Sequence, residues 1–328
     1  MVLPTLKTKH ICICAGILLL AVTGASLFIG RYPLTPEGLL SGDAMMRSVF
    51  VTLRLGRVLV GAVGGFALGI CGFVFQTVFR NPLASPDIVG VSSGASAGAA
   101  AGILFLSGVG AAGVTGMAFL GALAAVGAAI GLSFLDRSGK NSTIVLAGIA
   151  VHALAQTVLM CLKLTADPER ELASIEYWMM GSLSGVSLYD AVGNLLLCIG
   201  ASAALFLLHR QILVLSAEEG EARMLGVPVG ILRMTVLLFA TLTVAAVISL
   251  TGLVSFIGLL APHIARMLTR DSRIGTMLLS GLSGGILLVG ADILARTAAQ
   301  AELPVSIFTS LIGAPFLIYL IVCGRTRT

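Results

Sequence analysis

Long uncharged runs recur along this 328-residue chain, separated by short clusters of charge. A helix that crosses a bilayer needs about 20 mostly apolar residues. Lys9 to Arg31 encloses 21 uncharged residues, Arg57 to Arg80 22, Lys140 to Lys163 22, Asp190 to Arg210 19, Arg273 to Asp292 18 and Glu302 to Arg325 22. Each predicts one span. Asp87 to Asp136 encloses 48 residues with a Gly/Ser-rich break near Ser107 to Gly113, and Arg233 to Arg266 encloses 32, broken at Thr251-Gly252. Each of these predicts two, so the pattern predicts ten membrane helices in an all-α, polytopic fold, a single transmembrane domain over 1–328.

The distribution of basic residues supports ten spans, because cytoplasmic loops collect Lys and Arg. With the N-terminus inside, Lys7, Lys9, Arg80, Arg137, Lys140, Arg210, Arg223, Arg233, Arg266, Arg270, Arg273, Arg325 and Arg327 fall on the inner side, 13 against 7. Reading Arg233 to Arg266 as one span reverses the bias to 9 against 11. Both termini are therefore expected in the cytoplasm. The first span resembles a signal peptide, with Lys7 and Lys9 before an apolar run and Thr23-Gly24-Ala25 as a small-residue site. The run continues apolar to Gly30, and the charge bias favours a retained anchor.

Composition agrees with a membrane protein. Only 11% of residues are charged against 57% hydrophobic, and the mean hydropathy is +1.06; a soluble globule could not cover its surface with so few polar groups. The 40 glycines suit helices whose backbones approach closely in lipid, and Gly61, Gly65, Gly69 and Gly94, Gly98, Gly102 stand at four-residue spacing. Ordinary helix packing explains such faces. The six cysteines fall inside predicted spans without metal-ligand or disulfide spacing and read as small apolar fillers.

The loops carry the remaining chemistry. Asn81-Pro-Leu-Ala-Ser-Pro86 is an inner turn, with Pro86 and Asp87 expected to open the third span. Ser216 to Pro228 is the most charged inner loop, either a solvated surface helix or a docking helix for a soluble partner. No G-x-x-x-x-G-K-[ST] phosphate loop exists in the chain. Outside, Asp167, Glu169, Glu171, Glu176 and Asp190 form an acidic rim beside Tyr177-Trp178. Arg54, Arg57 and Arg296 lie on the same side; they read either as headgroup-binding or locally paired cations, Asp292 with Arg296 at i,i+4, or as a docking surface for an acidic partner. A secondary transporter needs embedded carboxylates or ion sites, and Asp292 is the only one at depth. An intramembrane hydrolase needs paired catalytic groups, whereas His152 and His263 stand alone. No catalytic residue and no metal site is expected.

Several ordered stretches resemble the FecCD family of ABC-importer permeases: Leu53-Arg-Leu-Gly-Arg57, Asn81-Pro-Leu-Ala-Ser-Pro86 with Gly90-Val-Ser-Ser-Gly94, Leu146-Ala-Gly-Ile-Ala150, Tyr177-Trp-Met-Met-Gly181, Ser255-Phe-Ile-Gly-Leu259, Pro262-His-Ile-Ala-Arg266, Ala291-Asp-Ile-Leu-Ala-Arg296, and Glu302-Leu-Pro-Val305 leading to Leu311-Ile-Gly-Ala-Pro315. Gly56 stands where the family usually has Pro. The resemblance implies a type II importer permease in the cytoplasmic (inner) membrane. It implies a second permease copy, identical or paralogous, two cytoplasmic ATPase subunits that bind ATP and Mg, and an extracytoplasmic substrate-binding protein; no cofactor in this chain and no nucleic acid are implied. Ser216, Glu218, Glu219, Glu221, Ala222, Arg223 and Gly226 would form the ATPase-coupling loop (about 214–228), Arg54, Arg57 and Arg296 would meet the binding protein, and Asn141-Ser142-Thr143 would form the cytoplasmic gate. Fifth-span residues would face the pathway, His152 and Gln156 among the possibilities. The implied cargo is an iron chelate, siderophore or haem, with cobalamin and oxyanions as alternatives.

Overall fold

The computed structural model of the chain describes residues 6–30, 32, 34–40, 43–135, 141–216, 228–271 and 273–324. Every regular element among these residues is helical. The principal helices are α1 (Leu6–Phe28), α2 (Ala44–Val78), α3 (Val91–Phe105), α4 (Ala111–Leu135), α5 (Asn141–Thr165), α6 (Glu171–Met179), α7 (Leu188–Leu207), α8 (Val229–Thr251), α9 (Ile257–Thr269), α10 (Ile274–Thr297) and α11 (Val305–Gly324). Seven of them, α1, α2, α4, α5, α7, α8 and α10, are long and apolar enough to cross a membrane. The expected count of ten then turns on α3, α9 and α11; α3 has 15 residues and α9 only 13.

α2, α8 and α10 form the centre. Phe73, Phe75 and Ile70 of α2, Leu237 of α8 and Met277 of α10 are fully buried. α1 lies at the periphery, its outward Ile13, Ile17 and Leu20 60, 63 and 74% exposed, as lipid-facing side chains should be. The glycine spacing acts as packing. A methyl added at Gly69 would lie 2.1 Å from the Ser280 carbonyl oxygen on α10, and one at Gly98 2.1 Å from the Met117 carbonyl on α4. The α2–α10 and α3–α4 backbones are therefore in contact, the geometry by which small residues associate helices in lipid.

Three boundaries differ from the charge pattern. α2 runs unbroken for 35 residues from Ala44, well upstream of Arg57, and contains two π-helical stretches, Val49–Leu55 and Val60–Gly64. α10 continues past Asp292 to Thr297. In both cases the charges that look like ends of a span are buried and paired, so they do not need the interface. The third difference is at Pro86-Asp87, which forms a single 3-10 turn, Pro86–Val89; Gly90 in the left-handed region (φ 81°) closes it, and α3 begins at Val91. The two expected breaks fall where the pattern puts them, at residues 106–110 and 252–256.

Candidate functional site

Two non-helical segments meet beside α5. One is the turn between α2 and α3: Asn81 accepts the Leu83 N–H (2.9 Å) on its side chain and the Ala84 N–H (3.0 Å) on its carbonyl, and the following 3-10 turn lies against Gly148 of α5, where an added methyl would sit 2.0 Å from the Ile88 carbonyl. The other is the α8–α9 break, with Gly252 and Phe256 at φ 68° and 66°. Positive φ is a few-per-cent event for a residue other than glycine, and the Phe256 ring packs where Gly313 of α11 leaves room. Irregular backbone at membrane depth is tolerated where protein buries it or where it lines a cavity. The α8–α9 break meets both, its residues 253–256 being partly buried and lining a cavity. The two segments and α5 enclose a pocket of about 390 Å³ lined by Asp87, Ser92, Ser96, His152, Gln156 and Ser255, with Val244 and Ile248 as its apolar wall.

The polar groups of the pocket divide into two kinds. Asp87 accepts from Ser92 Oγ and from Ser85 Oγ (3.4 Å), and Ser96 and Ser93 donate to backbone carbonyls. Asp87, Ser85, Ser92 and Ser93 stabilise the turn, and Ser96 bonds within α3. His152 and Gln156, one helical turn apart on α5, line the same pocket, and His152 is exposed in the isolated chain. The expected gate, Asn141-Ser142-Thr143, forms the first turn of this helix, about 14 Å along the axis from His152 at 1.5 Å per residue.

At the opposite end of α2 the three sequence-selected arginines do come together, but not as exposed cations. Arg54, Arg57 and Arg296 are only 6, 7 and 3% exposed. Arg57 donates through Nε to Asp292 Oδ1 (2.8 Å) and through Nη1 to Glu302 Oε2 (2.9 Å). Arg296 Nε donates to Asp292 Oδ2 (3.1 Å), the expected i,i+4 pair. Its other nitrogens reach the Ser26 and Ile29 carbonyls (3.2 and 2.9 Å) and Ser26 Oγ (2.5 Å). Arg54 donates to the Ile29 and Tyr32 carbonyls, the latter at 3.3 Å. The last carbonyls of a helix have no intrahelical donor, and arginines at that end satisfy them while matching the helix dipole. Arg54 and Arg296 thus tie the end of α1 to α2 and α10. Glu302, which the sequence left unassigned to this site, and the Arg57–Asp292 pair complete the network.

The same corner is knitted to the pocket through backbone bonds. Glu302 precedes the start of α11; Val305 N donates to the Gly181 carbonyl (3.0 Å), Ser182 N to the Thr251 carbonyl (2.7 Å), and Ser306 Oγ to the Leu253 carbonyl (2.6 Å). The arginine network, the start of α11 and the α8–α9 break are therefore one continuous structure.

The model of the FecCD transport family matches residues 18–323. The chain belongs to that family. This FecCD permease is 40% identical over 82% of its length to the cobalamin import system permease protein BtuC of Halobacterium salinarum, covering 72% of that protein. It is 37% identical over 95% of its length to the achromobactin transport system permease protein CbrC of Dickeya dadantii, covering 90% of it. A solved structure described as an inward-facing conformation of a metal-chelate type ABC transporter matches with a TM-score of 0.87 at 30% identity, over 96% of this chain and 99% of that one. The FecCD chain is thus a multi-pass membrane permease of the ABC class.

Other matched stretches of the permease now have physical roles. Gly56 is needed where it stands, since a methyl there would lie 2.7 Å from the Leu188 backbone nitrogen. Arg266 of the Pro262–Arg266 stretch donates to Gln76 Oε1 (2.8 Å) and Thr77 Oγ1 (3.3 Å) and lies over the Phe73 ring, while Gln76 donates to the Leu259 carbonyl (3.2 Å). It pins α9 to the lower end of α2. Next to it, Arg80 donates to the Leu215 carbonyl (3.3 Å), and Ser216 Oγ to Leu213 (2.6 Å), fixing the entry to the expected coupling loop. Glu218, Glu219, Glu221, Ala222, Arg223 and Gly226 lie outside the described residues.

Proposed function

We propose that the chain is the membrane subunit of an ATP-driven importer that carries an iron chelate, siderophore or haem, through the cytoplasmic membrane by alternating access. The observation that carries this reading is the near-complete match to the FecCD family together with the metal-chelate transporter fold. The end-to-end likeness to an achromobactin permease favours a siderophore, and the likeness to a cobalamin permease keeps cobalamin as the second substrate. An oxyanion importer is a further alternative.

In this reading the chain crosses the membrane ten times with both termini in the cytoplasm, pairs with a second permease copy or a paralogue, and catalyses no covalent step. Two ATPase subunits, which bind ATP and Mg, engage Ser216 to Gly226. Their closure moves the loop that Arg80 holds at Leu215 and shifts the gate at Asn141–Thr143. His152 and Gln156 line the route. A binding protein docks over the arginine corner: three guanidiniums there face two carboxylates, leaving positive charge for an acidic partner. Glu302, 30% exposed in its side chain, is the carboxylate that such a partner can displace from Arg57.

A secondary carrier fits less well, because Asp292, the carboxylate at depth, is already neutralised by two arginines. Uptake of ferric siderophore into vesicles holding the permease with and without its ATPase tests the proposal. Uptake that needs the ATPase supports it; undiminished uptake without the ATPase would sink it.

A further inference from the structure

A second cavity lies between α1, α9 and α10, away from the pocket and the arginine corner. Cys14, Ala15 and Leu18 of α1, Leu268 of α9 and Ser283 and Leu287 of α10 line a groove of about 480 Å³, within the range of small-ligand sites. Its walls are almost wholly aliphatic. α1 touches α10 at its lower end, where Cys12 Sγ donates to the Gly275 carbonyl (3.5 Å), and the groove opens between that seam and α9. A groove of this composition offers water few groups to bond, Ser283 and His10 among them, so the occupant that suits it is an acyl chain.

The ends of the three helices that border the groove carry basic residues. On α1 the lining residues follow helical spacing, His10-Ile11, Cys14-Ala15 and Leu18, and the same face one turn earlier carries Lys7. On the other side the α9–α10 turn presents Arg270, at φ 55° as the cap of α9, and Arg273, the cap of α10. Lys7, Lys9, Arg270 and Arg273 are exposed, and none makes an ion pair among the described residues. The acid of this turn, Asp271, is already engaged: its carboxylate accepts from Thr276 Oγ1 and from the Arg273 N–H (3.2 Å). Basic pockets between membrane helices recruit anionic headgroups.

We propose that this groove is a binding site for one anionic phospholipid, its acyl chain between α1, α9 and α10 and its phosphate among Lys7, Arg270 and Arg273. A lipid so placed fastens the peripheral α1 to the bundle. The inference is independent of which substrate is carried.

The test places a reporter in the groove. Leu18→Trp in a Trp178→Phe chain is reconstituted in vesicles containing brominated phosphatidylglycerol or brominated phosphatidylcholine. Quenching should show at least a fivefold preference for phosphatidylglycerol, and the added changes Lys7→Gln, Arg270→Gln and Arg273→Gln should abolish that preference. Native mass spectrometry of the unaltered protein in a mixture of the two lipids gives a second readout free of folding effects, with phosphatidylglycerol retained and not displaced by excess inorganic phosphate. Equal quenching by both lipids, a preference that survives neutralisation, or displacement by free phosphate would each overturn the proposal.

Discussion

Asp292→Asn is the most informative single change. Asp292 is 2% exposed and holds two arginines that are themselves 8 and 3% exposed in their side chains, at 2.8 and 3.1 Å. Removing its charge leaves two guanidiniums buried beside one another, with Glu302 as the remaining carboxylate. Breaking a buried pair by deleting one partner costs about 3–5 kcal/mol. At about 2 °C per kcal/mol for a large domain, the thermal midpoint should fall by about 6–10 °C. The assay is thermal unfolding in mild detergent, followed by far-ultraviolet circular dichroism. Glu176→Gln serves as the reference, since the Lys163–Glu176 pair at 2.7 Å is exposed and such pairs contribute about 0–1 kcal/mol. Replacing Arg57, Asp292 and Arg296 together by Met, Leu and Met should recover part of the loss, because the buried Asp292 pairs vanish with both partners, while Glu302 and the carbonyls at the end of α1 lose theirs. An Asp292→Asn midpoint no lower than that of Glu176→Gln would refute the reasoning.

Three further outcomes are expected. Gly69→Ala drives a methyl into the Ser280 carbonyl and should sharply reduce the yield of folded protein, whereas Gly127→Ala meets nothing within 4 Å and should be neutral or stabilising by up to about 1 kcal/mol; size-exclusion profiles and melting curves distinguish them. His152→Trp should block the pocket and cut siderophore uptake at least about tenfold, a loss of about 1.4 kcal/mol or more in the transport step, while Ile17→Trp on the lipid face leaves uptake intact. Glu221→Ala with Arg223→Ala should abolish co-purification of the ATPase, and Arg80→Ala, which frees the Leu215 carbonyl, should weaken it without abolishing it.

How legible this was in the sequence depended on the range of the interactions. Uncharged runs located the helix interiors, and the breaks at Ser107–Gly113 and Thr251-Gly252 were visible because glycine and small polar residues mark them locally. The ends of α2 and α10 were not. Arg54, Arg57 and Asp292 resemble interface residues when counted as bare charges, and their compensation comes from positions far away in the chain: Arg57 and Asp292 are 235 residues apart. Only the Asp292–Arg296 half of the network has a local period. The pocket divides likewise. His152 and Gln156 are readable as one face of α5, while Asp87 and Ser255 join them only through the folding of the α2–α3 turn and the α8–α9 break. Arg80 and Arg266 read as ordinary inner-loop cations, because nothing in their own segments signals the Leu215 carbonyl or Gln76.

The most direct test of the central claim is ATPase activity in proteoliposomes holding the permease with its ATPase, titrated with binding proteins loaded with ferric siderophore, haem or cobalamin. The account predicts stimulation by one loaded binding protein, a ferric siderophore or haem form before cobalamin, and none by the permease alone. Failure of the permease to associate with any ATPase, together with chelate flux driven by an ion gradient, would contradict it.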